Sequence, residues 1–153
     1  MSGTLMAAAL LGSAAAGGVF FAFSSFVMRG LTDAGSTNAV PAMQQINVAA
    51  VRPPLMILLF GTLVVMGAAV VVQSRDTGWS APAVIAFGVY LVGVVGVTAF
   101  GNVPLNNELA AFQAGSSVDA WAAYAPGWTW LNHARTIASL ASAGLLAAAL
   151  RVG

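Results

Sequence analysis

Four apolar stretches, each about as long as a bilayer is thick, constrain this chain more than any other feature. Residues 4–28, 54–73, 82–103 and 128–150 each supply about 20 residues almost free of charge. A helix rising 1.5 Å per residue needs that many to cross roughly 30 Å of hydrocarbon. Backbone amides in hydrocarbon have no water to bond, so such segments must be helical. The expected fold is all-α: one integral membrane domain over residues 1–153, a four-transmembrane-helix bundle with short amphipathic helices in the first and third connections.

Composition agrees and removes several function classes. Charged residues make up 6% of the chain and hydrophobic ones 59%, far from the roughly one-quarter charged content of soluble domains. A net charge of +1 with no basic cluster gives no footing for nucleic acid. Cysteine is absent, which excludes disulfides and iron–sulfur ligation, and lysine is absent, which excludes Schiff-base chemistry. The first 25 residues do not read as a cleaved signal. No positive segment precedes them, and the apolar run continues through Phe20, Phe21, Phe23 and Phe26 to Arg29.

Pro53-Pro54 suits the first turn of the second span, and Arg75-Asp76-Thr77-Gly78 reads as a tight turn that makes spans two and three antiparallel neighbours. The third span is expected to end at Pro104 and the fourth to begin near Trp128. Connection one, residues 30–52, reads as a polar patch followed by a short helix from about Val40, with Pro41 in its first turn and Gln44 and Asn47 on one wet face. Connection three, residues 105–127, reads as two short helices divided by Gly115-Ser116-Ser117. Either these connections roof a pocket or they pack at the interface with none beneath. Ala14, Gly18, Ala22 and Ser25 form a small-residue stripe on the first helix, and Gly88, Gly93, Gly96 and Gly101 lie on the third, both fitted to close helix packing and compatible with a homo-oligomer.

Polar side chains gather at one set of helix ends: Arg29, Gln44, Gln45, Asn47, Arg52, Asn102, Asn106, Asn107, Glu108, Asn132, His133 and Arg135. The opposite ends carry little beyond Arg75, Asp76 and Arg151. Polar groups near hydrocarbon persist where they face one another or water, so the lopsided distribution marks a candidate site. On the fourth span Trp128, Asn132, Arg135, Ser139 and Ser142 recur at three- and four-residue spacing and share one face. Arg135 needs a partner there, with Glu108 the nearest acidic residue after the third span, or else it snorkels to phosphates. His133 falls off that face, near Trp130. Its roles stay open among a hydrogen-bonded structural residue, a proton carrier and a metal or haem ligand, the last lacking the usual companion ligands. Three asparagines in Asn102-Val103-Pro104-Leu105-Asn106-Asn107-Glu108 exceed what helix capping requires and offer donors and acceptors to phenol or ketone oxygens.

The segments Phe20–Met28, Ala42–Asn47, Asn102-Val103-Pro104-Leu105-Asn106-Asn107 and Trp128–Arg135 together resemble the anthrone oxygenase-like family of small four-helix membrane proteins. The resemblance implies oxidation of an anthrone-like or phenolic aromatic with O₂ and no organic cofactor, in a multi-pass protein of a bacterial inner or plasma membrane. On that reading His133 or Glu108 removes a proton from the substrate's activated methylene, and the resulting carbanion reduces O₂. Arg135, Asn132 and Asn106, with Asn102, Asn107, Gln44, Asn47 and Arg29 nearby, would hold the substrate oxygens, while Trp128, Trp130, Trp121 and Phe23 would flank its rings. The expected partners are a hydrophobic aromatic, O₂ and membrane lipid. No metal site is expected, haem or a metal staying open. A non-catalytic quinone- or lipid-binding subunit and a haem- or metal-binding redox protein remain the alternatives. A transporter has less support, because no Asp or Glu lies within a span to carry a proton.

Overall fold

In a computed structural model, residues 1–112 and 117–152 are described, and among them all the regular structure is helical. Five continuous helices follow in order: α1 Ser2–Asp33, α2 Ser36–Ala50, α3 Pro53–Asp76, α4 Ala81–Ala111 and α5 Ser117–Val152. Four of them, all but α2, are long and apolar enough to cross a membrane, which makes this a multi-pass membrane protein. Gly115 and Ser116, expected to divide the third connection, lie outside the described residues.

The spans run further than their apolar cores. Helix α4 continues through Pro104 to Ala111, and α5 passes through Pro126 and Gly127, so the helical parts of the third connection are extensions of the spans. Pro104 does not end α4 because it follows a stretch, Thr98–Asn102, in which the ladder has already widened to π-type bonding. There the missing amide proton removes little that the helix still uses. Helix α2 begins at Ser36, after Gly35 with φ of 83°, so Pro41 lies inside it and not in its first turn. Helix α3 ends as the Arg75–Gly78 motif implies: the Thr77 N–H closes on the Gln73 carbonyl at 2.9 Å, and Gly78 takes φ of 93°.

Helix α1 packs along α3 on one side and α5 on the other, and α5 packs along α4. Helices α3 and α4 meet chiefly in the halves next to their turn and diverge toward the opposite membrane face. Small residues bring the backbones close. A Cβ on Gly93 would fall 2.5 Å from the Ala138 Cβ, and one on Gly101 2.9 Å from Leu131. The expected stripe on α1 does not form the contact: Gly18 and Ser25 are exposed, Ala14 and Ala22 half-buried, and the buried line is Met6, Ala9, Ser13, Ala16, Gly17 and Phe20. Polar contacts explain the rotation. Ser13 Oγ donates to the Ser139 carbonyl at 2.9 Å, and the Asn132 amide donates to the Phe20 carbonyl at 2.7 Å. These tie one particular face of α1 to α5.

Two apolar clusters form. One fills the bundle around Met6, Phe20, Leu59, Met66, Tyr90 and Leu146, and the other joins Met28, Met43, Leu109, Trp121, Tyr124 and Trp128 under α2. Along α4 and α5 the residues between them are Thr98, Asn102, Asn106, Asn132 and Arg135.

Candidate functional site

A cavity of about 290 Å³ opens where α3 and α4 diverge. Val19, Phe20 and Phe23 of α1 back it, with Trp128, Asn132 and Arg135 of α5. Met43, Ile46 and Asn47 of α2 cover it, and Leu55, Met56, Leu59 and Phe60 of α3 face Val94, Thr98, Asn102 and Asn106 of α4. Most of this lining is apolar, and the polar groups converge from α4 and α5. An enclosed apolar space of roughly 150 Å³ accommodates benzene, so this one has room for a two- or three-ring system.

The helix geometry of α4 makes that convergence possible. Its lining residues fall in two columns spaced by four, Val94–Thr98–Asn102–Asn106 and Val95–Ala99–Val103. On an α-helix, four residues turn 400°, so such a column would drift about 40° per step and roughly 120° over three steps. The stretches Leu91–Gly96 and Thr98–Asn102 are π-type, with more residues in each turn, which counters the drift and holds both columns on one side. Helix α1 widens likewise at Phe23–Val27, which starts three residues after Phe20, whose carbonyl accepts from the Asn132 side chain.

Helix α5 supplies the charged pole. Trp128, Asn132, Arg135, Ser139 and Ser142 are all buried on one face, and Trp121 and Tyr124 continue it toward the helix start. The Arg135 guanidinium donates to Asn132 Oδ1 at 2.7 Å and to Thr98 Oγ1 at 3.4 Å. It also lies 4.4 Å from the Phe20 ring centroid and 5.2 Å from that of Trp128. Each ring offers its electron-rich face to the cation. Arg135 Nε is buried without a hydrogen-bond partner. Among the described residues no carboxylate lies within 4 Å of it: the one ion pair, Arg29 with Asp33 at 3.9 Å, is on the exposed end of α1.

The three asparagines differ in what they leave free. Asn132 is fully engaged, its amide donating to the Phe20 carbonyl at 2.7 Å and Ser24 Oγ at 2.8 Å while its oxygen accepts from Arg135. Asn106 Oδ1 accepts from both Tyr124 Oη and Trp128 Nε1 at 2.9 Å, which assigns its oxygen to the aromatic side and leaves its NH₂ as the remaining donor. Asn102 donates to the Trp128 carbonyl at 3.3 Å, and its Oδ1 is buried without a partner. A guanidinium N–H and an amide oxygen of two residues that line the cavity are thus unmatched, neither atom itself exposed, at positions where an unmade bond costs roughly 1–3 kcal/mol.

Of the residues singled out in the sequence, Phe23, Asn47, Asn102, Asn106, Trp128, Asn132 and Arg135 line the cavity. The others do not. His133 is half-buried on another face of α5 and packs edge-on against Trp130 at 6.0 Å, Trp130 itself being 75% exposed. Glu108, Asn107 and Arg29 are exposed, so Arg135 takes an amide and a hydroxyl as partners in place of Glu108. Gln44 and Asn47 do not form a wet face but dock inward, Gln44 donating to the Leu109 carbonyl at 2.8 Å and Asn47 to Tyr124 Oη at 3.5 Å. Trp121 braces the cover, its Nε1 donating to Thr32 Oγ1 at 3.1 Å. Phe20, Ser24, Thr98 and Tyr124 were not singled out. The four-residue spacing of Val94, Thr98, Asn102 and Asn106 is the one signal that could have found Thr98. Among the described residues no three His, Cys, Asp or Glu side chains converge, so the polar wall consists of amides, a hydroxyl and a guanidinium.

No curated protein and no solved structure matches the chain. A family model described as anthrone oxygenase matches residues 42–145, a stretch that holds the lining residues of the cover helix, both columns of α4 and the charged pole of α5. The chain therefore belongs to the anthrone oxygenase family.

Proposed function

We propose that this protein oxidises a hydrophobic phenolic or anthrone-like aromatic with O₂, without a tightly bound organic cofactor, in the cavity between α3 and α4. The observation that carries the reading is the buried Arg135. Its Nε is unpartnered, no carboxylate faces it among the described residues, and the remainder of the cavity is sized and lined for fused rings. A cation in hydrocarbon costs about 2.5–3.5 kcal/mol at mid-membrane, and an anionic ligand oxygen offsets that cost.

The chemistry follows from this pole. An anthrone-like methylene is acidic because its conjugate anion places charge on the ring-ketone oxygen. Arg135, with the Asn106 amide as second donor, stabilises that oxyanion, while Asn102 Oδ1 accepts from a neighbouring hydroxyl of the ligand. The anion transfers electrons from carbon to O₂ and forms a carbon–oxygen bond. Loss of the second methylene proton with cleavage of the O–O bond then yields the ketone and water, so that one O₂ is consumed for each CH₂ converted to C=O. His133 and Glu108 are not among the residues that line the cavity; on this reading the first proton passes to water as the ligand ionises, and it recombines with the hydroxide released when the O–O bond breaks.

The test is conversion of anthrone to anthraquinone by purified protein, followed by absorbance and O₂ uptake. Arg135→Gln should lower kcat by about 10²–10³, the size of losing one preorganised oxyanion donor, while the His133→Ala/Glu108→Ala double variant should stay within about threefold of wild type, the scatter of residues that do not touch the reacting atoms. The converse pattern would refute the assignment, and absence of turnover in the wild type would leave the cavity as a non-catalytic binding site.

A further inference from the structure

Four of the described cavity-lining residues are exposed: Val51, Phe60, Ala99 and Val103. All four are apolar. They sit on the two helices that diverge, Phe60 on α3 and Ala99 and Val103 on α4, with Val51 just ahead of α3. Phe60 lies seven residues beyond Pro53, about 10 Å along α3 at 1.5 Å per residue, so the rim runs from the end of the span at Val51 and Val103 into hydrocarbon at Phe60. An opening that drew its ligand from water would carry polar side chains on its rim. Here Asn102, Asn132 and Arg135 are 0–6% exposed, the other polar lining residues Asn47, Thr98 and Asn106 are half-buried, and the exposed lining residues are apolar. The cavity is thus polar at its inner end and apolar at a mouth that lies between two helices.

We infer that the cavity takes its ligand sideways from the bilayer through the cleft between α3 and α4, and that its ligands are rings carrying a hydrocarbon tail that stays in the cleft. The inference rests on the proposal that this cavity is the ligand site. It adds the direction of entry and the chemical class. A volume of about 290 Å³ holds a ring system but not a long chain as well, and the cleft continues into lipid, where a tail loses nothing by remaining. A tail also fixes orientation, since only the head can then reach Arg135.

The experiment measures binding and not turnover. In phosphatidylcholine nanodiscs, saturable quenching of tryptophan fluorescence in a Trp79→Phe/Trp130→Phe background, which leaves Trp121 and the cavity-lining Trp128, reports occupancy. The probes are menadione and its decyl-substituted homologue, with concentrations expressed per lipid. Ala99→Phe and Val103→Phe fill the mouth from exposed positions, and Val92→Phe adds the same bulk to an exposed position of α4 that does not line the cavity. Both mouth variants should weaken the decyl homologue at least about tenfold, equivalent to ~1.4 kcal/mol, and menadione less than about twofold, with Val92→Phe unchanged for both. Equal weakening of the two probes, or of neither, overturns the inference. Menadione binding without the homologue, or a copurified phospholipid that the homologue fails to displace, overturns it while the ligand-site proposal stands. Failure of both probes to bind overturns both.

Discussion

Replacing Asn132 by alanine should damage this protein more than any other single amide change, and the structure sets the magnitude. Its side chain is fully buried and makes three hydrogen bonds, to the Phe20 carbonyl at 2.7 Å, to Ser24 Oγ at 2.8 Å and from Arg135 at 2.7 Å. The two that join α5 to α1 are interhelical, and such bonds in membranes average about 0.6 kcal/mol with a maximum near 1.7. The third holds a charged group and is worth about 1.5–3 kcal/mol. Ser24 keeps a partner in Thr136 Oγ1 at 3.2 Å, so its share of the loss is the smallest. The sum is about 3 kcal/mol, read as a shift in the SDS mole fraction at which the helices unfold in mixed micelles. Asn132→Asp separates the components. It loses the two donors to α1 but keeps the acceptor for Arg135, with a carboxylate in place of the amide. Helix pairing should weaken by about 1 kcal/mol, and affinity for an oxyanion should fall because Arg135 is already neutralised. If Asn132→Ala unfolds within 0.5 kcal/mol of wild type, a margin typical of ordinary surface changes, the α1–α5 clamp described above is wrong.

Tyr124→Phe removes one of the two donors that hold Asn106 Oδ1 and should cost about 1 kcal/mol of stability, with ligand ketones weakened more than tail-matched hydrocarbons in the same binding assay. The orientation argument fails if ketone and hydrocarbon weaken alike. Gly93→Val should cost about 1–3 kcal/mol by overpacking, because the new Cβ meets Ala138 at 2.5 Å, while Gly88→Ala, which meets nothing within 4 Å, should be neutral or slightly stabilising by the same unfolding measurement. Equal effects at the two glycines would refute the close approach of α4 to α5.

What the sequence made legible follows a physical pattern. Hydropathy and length report on solvent, so four spans and the turn at Arg75–Gly78 could be read directly. The polar face of α5 could also be read, because an α-helix of regular period maps spacing onto direction. Helix α4 could not be read in this way. Its π-type stretches alter the residues per turn, and nothing in Leu91–Asn102 announces that change. Proline was misleading for the same reason: Pro104 looks like a stop, yet it follows a ladder that had already given up its regular bonds. The rotation of α1 was hidden too, since small residues occur on two of its faces and the choice is made by Ser139 and Asn132 on a helix more than 100 residues away. The spacing along α5 set His133 off its polar face and near Trp130, where the structure has it, whereas closeness in sequence to Arg135 did not tell that Glu108 is exposed.

The residues that line the cavity lead to a prediction about pH. Among the described residues that line it, Arg135 is the one side chain with an ionisable group, and no histidine or carboxylate is placed there to give the rate a pKa near neutrality. Turnover should therefore rise with pH through the ionisation of the bound ligand and level off above it, because the anion is the reactive form. Across anthrones or phenols with graded acidity, the midpoint should follow the ligand. Arg135 pulls that midpoint down by favouring the anion, each unit corresponding to 1.36 kcal/mol of differential interaction. Arg135→Gln should accordingly move the midpoint upward for every member of the series, while His133→Ala leaves it in place. A midpoint that stays fixed while ligand acidity varies, and that disappears in His133→Ala, would mean that a protein base takes the proton after all, and that α5 must turn His133 toward the cavity when the ligand binds.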